Sequence, residues 1–212
     1  YRFGFRECEF RKDGFYLNGK KLKIRGLNRH QAYPYVGYAM PASAQRADAD
    51  LLKFELGCNL ARTSHYPDST HFLDRCDEIG LLVFTEMPSW QFTGEGEWRE
   101  NCLNVADMVN RDRNHPCVIL WGVRVNEGPD CDELYEKTNA IAHSLDDTRQ
   151  TGGVRNFPQS HLLEDVYTYN DFTHDGGKAV FRPQPDTTGL EYPVPLLVTE
   201  SNGHMYPTKR FD

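Results

Sequence analysis

The chain has 212 residues, 39% hydrophobic and 26% charged, an ordinary globular balance that lets it bury a substantial core. Its 31 acidic against 24 basic residues leave a net charge of -7 and no long Lys/Arg run, which argues against a nucleic-acid partner. No apolar run reaches the roughly 18 residues of a membrane span, and the opening residues lack the charged-then-apolar pattern of a secretory signal, so a soluble, cytoplasmic protein with no membrane partner is expected.

In chain order, residues 3–26 read as short extended pieces punctuated by Asp13-Gly14 and Asn18-Gly19, dipeptides that favour hairpin turns because they tolerate positive φ. This part, residues 1–21, is expected to be a lead-in, with the main domain over 22–212. Apolar runs short enough to be strands buried on both faces follow at Leu22–Leu27, Asn59–Thr63, Leu81–Thr85, Val118–Val123, Gln150–Val154, Val166–Tyr169 and Leu196–Thr199. Four amphipathic stripes lie between them: Ala47/Leu51/Phe54, Phe72/Leu73/Cys76/Ile79, Cys102/Val105/Val109 and Leu134/Thr138/Ile141/Leu145. Strands alternating with helices predict parallel β/α units, and polar residues at the strand ends favour a TIM-type (β/α)8 barrel over an open sheet. No Gly-rich phosphate loop follows the first strand, against a nucleotide-binding sheet. Residues 171–195, rich in Gly, Pro, Thr and Asp, form a long connection expected beside the barrel mouth. The six cysteines show no CxxC pairing and are expected to be reduced, mostly buried side chains.

Two glutamates, Glu127 and Glu200, stand past the ends of the fourth and seventh predicted strands, at the rim. Strand-end glutamates are commonly salt-bridged rim residues, but a pair facing each other across a barrel mouth can also serve as acid/base and nucleophile. Hydrolysis with retention needs two carboxyl groups about 5–5.5 Å apart, and at that spacing the pair shares a proton more readily than both ionise. Arg62 and His65 stand at the end of the second strand and His30 at the end of the first, each open to a structural or a ligand-binding role. Trp121, in mid-strand, is expected inside the core, while Trp90 could stack on a ligand.

The run Asn114-His115-Pro116-Cys117 through Asn126-Glu127 resembles the acid/base signature of glycoside hydrolase family 2, the β-galactosidases, β-glucuronidases and β-mannosidases. The likeness extends through Ile24–Gln31, Asn59–Pro67, Asp165–Asn170 and Thr199-Glu200, and so covers the chain in order. It implies a retaining glycosidase in which Glu127 is the acid/base and Glu200 the nucleophile. It further implies that Asn126 bonds the sugar 2-hydroxyl, that Arg62 supports the nucleophile, and that His65 and His30 contact substrate. His204 is a further substrate contact or a loop brace. Near the family's nucleophile-steadying tyrosine stand Tyr169 and Phe172, and Tyr169 is preferred because its hydroxyl can do that work.

The contexts Arg29-His30-Gln31 and Gly203–Lys209 look most like β-galactosidases, so a terminal β-galactoside is the expected substrate; a β-glucuronide, a β-mannoside, or an inactive carbohydrate-binding fragment are the alternatives. A metal-dependent barrel hydrolase would want His-x-His after the first strand, which Arg29-His30-Gln31 does not supply. Some large β-galactosidases hold magnesium through an acid and a histidine after the third strand; Glu86-Met87-Pro88 lacks that histidine, so no required metal or other cofactor is expected. Only 12 residues follow Glu200, where a barrel would continue through an eighth strand. The expectation is an incomplete barrel of seven strands, preceded in its parent by a β-sandwich domain, with an open edge that could pair with a second copy.

Overall fold

The computed structural model describes residues 3–173 and 180–201. Three short strands come first, β1 (Cys8–Arg11), β2 (Gly14–Leu17) and β3 (Lys20–Leu22), antiparallel in the order β1-β2-β3. The second turn works as the sequence suggests: Asn18 and Gly19 both take positive φ, 50° and 72°, the backbone a two-residue hairpin turn requires.

Seven parallel strands then form one sheet in chain order: β4 (Gly26–Arg29), β5 (Leu60–Thr63), β6 (Leu82–Glu86), β7 (Val118–Gly122), β8 (Gln150–Arg155), β9 (Val166–Asn170) and β10 (Leu196–Glu200). This is a nearly closed, incomplete (β/α)8 barrel, with β4 and β10 as its two edges. The first barrel strand is displaced from the expected Leu22–Leu27, because Leu22 pairs with Phe15 in the antiparallel sheet and the parallel ladder starts at Gly26. Gly26 is required there, since a Cβ on it would lie 2.5 Å from the Leu60 carbonyl oxygen. Between the two edge strands a cavity of about 840 Å³ opens into the barrel, lined in part by Asn28, Arg62, Leu197 and Thr199.

The hairpin sheet closes the end of the barrel from which the strands start. Phe10 and Phe15 pack with Leu60, Leu82, Phe84, Ile119, Leu120, Val154 and Val166 inside it. Gln150, the first residue of β8, exchanges two hydrogen bonds with the Phe10 backbone, and Arg6 donates to the carbonyls of Pro116 and Val118.

Around the barrel lie α1 (Ala42–Asp50), continued by a π-helical turn at Leu51–Glu55, then α2 (Thr70–Ile79), α3 (Trp98–Asp112), α4 (Asp132–Leu145) and the short α5 (Gln184–Thr188). Three of the four expected stripes face the barrel; in α2, for example, Phe72, Leu73 and Cys76 are buried, Ser69 caps the N-terminus and Gly80 ends the helix at φ 67°. The first stripe does not: Ala47, Leu51 and Phe54 are exposed, and α1 buries Gln45 and Ala49 followed by Leu52. Those positions keep helical spacing, but Gln45 disguises them because its buried side chain accepts from Arg29. Trp121 is buried outside the strand layer and donates to Asp146. All six cysteines are free, and burial pushes the Cys76 and Cys117 thiols well above their ordinary range. Among the described residues, no helix is long and apolar enough to cross a membrane.

The start of β7 is pinned by Asp77 of α2. Its Oδ1 accepts the Cys117 N–H at 2.8 Å and its Oδ2 pairs with His115 Nδ1 at 2.6 Å. The Asp77 hydrogen bond outweighs burial and holds His115 above the usual imidazole range. A raised folded-state pKa means stabilisation that is complete below the unfolded pKa of about 6.5 and is lost as pH rises through the folded value. Unfolding midpoints in urea should therefore fall as pH rises above about 6.5, and His115→Gln should flatten that slope. An unchanged slope in the variant would refute the pairing.

Candidate active site

The chemistry gathers where the barrel strands end. Leu60, Leu82 and Phe84 point into the barrel, so two residues further along, Arg62 and Glu86 point inward too. Both are buried, and the Arg62 guanidinium grips Glu86 through Nε–Oε1 and through Nη2–Oε2 at 3.1 Å. Gly122 of β7 makes the room: a Cβ there would come within 2.7 Å of the Glu86 side chain. Burial alone would raise Glu86, but Arg62 and His65 more than offset it and hold the carboxyl below the ordinary range. Arg62 behaves conversely, its burial outweighed by Glu86 and then Glu200, so it stays a cation.

The rest of the Arg62 fork reaches the predicted residues. Nη1 donates to Glu200 Oε2 at 3.1 Å, and Nη2 donates to Asn126 Oδ1 at 2.7 Å and lies 3.1 Å from His65 Nδ1. The His30 ring meets His65 edge-on at 5.4 Å. Exposed at the rim but partly desolvated, and next to a second imidazole, His30 is held below its ordinary pKa and presents a neutral ring at neutral pH.

Glu127 lies beyond the end of β7 at φ 55°, with its N–H on the Val154 carbonyl at 3.0 Å. Few non-glycine residues adopt that region. Glu200 ends β10 past a register shift between Val198 and Glu200, where the ladder partner of Glu200 is Asn170. Strict alternation would turn Glu200 outward with Leu196 and Val198; the bulge re-aims it.

One residue joins the two glutamates. Asn170, at the end of β9, donates from Nδ2 to Glu127 Oε1 and to Glu200 Oε2, each at 3.1 Å, while its Oδ1 accepts from Thr199 Oγ1. The two carboxylate oxygens therefore lie within twice that distance of each other. Among the described residues the buried Asn126 Nδ2 has no hydrogen-bond partner. Sequence reasoning missed Asn170 as a site residue although it ends a matched motif, because its neighbour Tyr169 carries the more suggestive side chain. Tyr169 is on the other face of β9, buried with Tyr167 and Val194, so the structure does not bring it to Glu200. His204 lies outside the described residues.

A family model described as Glycosyl hydrolases family 2, TIM barrel domain, matches residues 8–208. The chain belongs to glycoside hydrolase family 2. It is 62% identical to a β-galactosidase of Thermoanaerobacterium thermosulfurigenes over all of this chain and 30% of that protein, and 53% identical to a β-galactosidase of Thermoanaerobacter pseudethanolicus over all of this chain and 28% of that protein. A solved family 2 β-galacturonidase from Eisenbergiella tayi, bound to galacturonate, matches with a TM-score of 0.81 at 30% identity, covering 98% of this chain and 41% of that one. The chain thus spans about 30% of the length of the curated relatives it matches. Magnesium of the kind held after the third strand in some family members does not fit here: both Glu86 oxygens are taken by Arg62, and Met87 and Pro88 offer no side-chain ligand of that kind.

Proposed function

We propose that this family 2 barrel carries the catalytic centre of a retaining β-galactosidase, with Glu200 as nucleophile and Glu127 as acid/base. The observation that carries the reading is the single Asn170 amide shared by both carboxylates. The two oxygens that share this amide lie no further apart than twice 3.1 Å, which favours the close spacing of about 5–5.5 Å used in direct attack over the roughly 6.5–9.5 Å with which inversion admits a water.

In the first half-reaction Glu200 Oε1 attacks the anomeric carbon. Its other oxygen is occupied by Arg62 and Asn170, which orients the carboxylate. The glycosidic C–O bond breaks as the Glu127 proton passes to the departing oxygen. A water then gives its proton to Glu127 and its oxygen to the anomeric carbon as the bond from that carbon to Glu200 breaks, which regenerates the Glu200 carboxylate and releases the sugar with its β configuration restored. The unpaired Nδ2 of Asn126 supports its role as donor to the sugar 2-hydroxyl, and His30 and His65 at the rim support theirs as hydroxyl contacts. The names of the β-galactosidase relatives favour galactose.

The test is trapping. Incubation of the whole protein with a dinitrophenyl 2-deoxy-2-fluoro-β-galactoside should add one fluorogalactosyl group, located by peptide mass on Glu200. A label elsewhere, or preferential trapping by the glucuronide or mannoside analogue, would overturn the assignment of nucleophile or of sugar respectively. A second expectation concerns Glu127→Ala. On phenyl β-galactoside kcat/KM should fall about 100-fold, within the range for loss of a general acid, while the dinitrophenyl substrate, whose leaving group needs little protonation, should lose far less. Azide, which attacks without a base, should restore turnover and yield the β-galactosyl azide.

A further inference from the structure

Asn170 holds only one of the two oxygens of Glu127. The other, Oε2, faces Gln91, whose Nε2 lies 3.3 Å away. Gln91 sits in the loop after β6 and is held to the acid/base segment by its backbone: its N–H donates to the Asn126 carbonyl at 2.9 Å, and Trp90 and Asn126 form an isolated parallel bridge. Gln91 and Glu127 both take left-handed backbone conformations, φ 61° and 55°. Two segments from different strands are thus turned toward each other at the point where their side chains meet.

We propose that Gln91 is a positioning residue for the acid/base, clamping the Glu127 carboxyl from the side opposite Asn170. This rests on the role assigned to Glu127 above. A carboxyl at a strand end can turn about its terminal torsion, which has only broad minima. With Asn170 on Oε1 and Gln91 on Oε2 the carboxyl plane is fixed, and the proton is delivered along one direction to the glycosidic oxygen. The Gln91 bond is exposed in the free protein. A leaving group seated against Glu127 would cover it and remove competing water, and the bond would then gain strength in the complex where it is needed.

The experiment compares Gln91→Met, which has similar length and no donor, with Gln91→Asn, which tolerates the left-handed backbone but falls short of Glu127. Both keep the backbone bond to Asn126, and circular dichroism and the unfolding midpoint verify the fold. kcat/KM of the whole protein is measured on methyl, phenyl and dinitrophenyl β-galactosides, with Glu127→Ala alongside. Positioning predicts that both variants lose about tenfold on the methyl and phenyl substrates, as expected for a misaligned proton donor, and less than twofold on the dinitrophenyl one. Equal losses on all three, or no loss on any, would overturn the proposal. If Glu127→Ala itself shows no dependence on the leaving group, the acid/base assignment fails first. If it shows that dependence and the Gln91 variants do not, only the role of Gln91 fails.

Discussion

Glu200→Gln should abolish turnover of nitrophenyl β-galactoside by at least about a thousandfold, because the carboxylate it removes forms the covalent bond. The geometry makes the amide an especially poor substitute. Arg62 and Asn170 both direct donors at Oε2, so the glutamine will turn its carbonyl oxygen to them and place its NH2 group where the attacking oxygen stood. Folding should be almost unaffected: the glutamate side chain is 26% exposed, and Arg62 keeps its partner Glu86. Glu200→Asp is the sharper control. It preserves charge but withdraws the nucleophile by about 1 Å, a displacement of the size that costs on the order of 100-fold. Stopped-flow release of nitrophenol and urea unfolding of the same samples separate the two effects. A Glu200→Gln protein retaining more than about a tenth of its activity would remove Glu200 from the nucleophile's role.

The parts of this site that were legible in the sequence are those that alternation or a motif marks. Arg62 follows Leu60 by two residues in an apolar strand, whereas Glu127, beyond β7, and Glu200, past the bulge in β10, are marked by motif alone. What alternation leaves undecided was less legible. In Val166–Asn170 every residue is buried, so the pattern does not say which face looks inward; the hydroxyl of Tyr169 draws the expectation to that residue, while Asn170 is the one that faces the glutamates. The bulge before Glu200 has no sequence signal, because it is set by pairing with β9 rather than by a glycine or proline. The inner face of α1 was hidden for another reason. Gln45 is buried there by its bond to Arg29, which also pairs with Asp48 and Asp68, and a polar residue at a core position breaks an apolar stripe in the sequence without breaking it in the fold.

The polar residue on which most depends is Arg62, and Arg62→Met should damage folding and catalysis together. Methionine fills much of the volume but leaves Glu86, 2% exposed, without its cation. Breaking a buried ion pair from one side typically costs about 3–5 kcal/mol. That cost should vary with pH in a defined direction. In the native protein the Glu86 pKa is depressed, so the pair contributes stability that is present above the unfolded carboxyl value of about 4.3 and is lost as pH falls through the folded one. In the variant, burial without a counter-charge raises the Glu86 pKa, and the folded state takes up a proton instead. The difference in unfolding free energy between native and variant should therefore be largest near pH 7 and shrink toward pH 4. Catalysis should not recover on acidification, since Glu200 and Asn126 both lose the donor that orients them. Arg62→Met,Glu86→Leu, which removes both charges, should recover most of the stability and none of the activity. If the double variant were no more stable than Arg62→Met, the unpaired charge on Glu86 would not be the source of the loss.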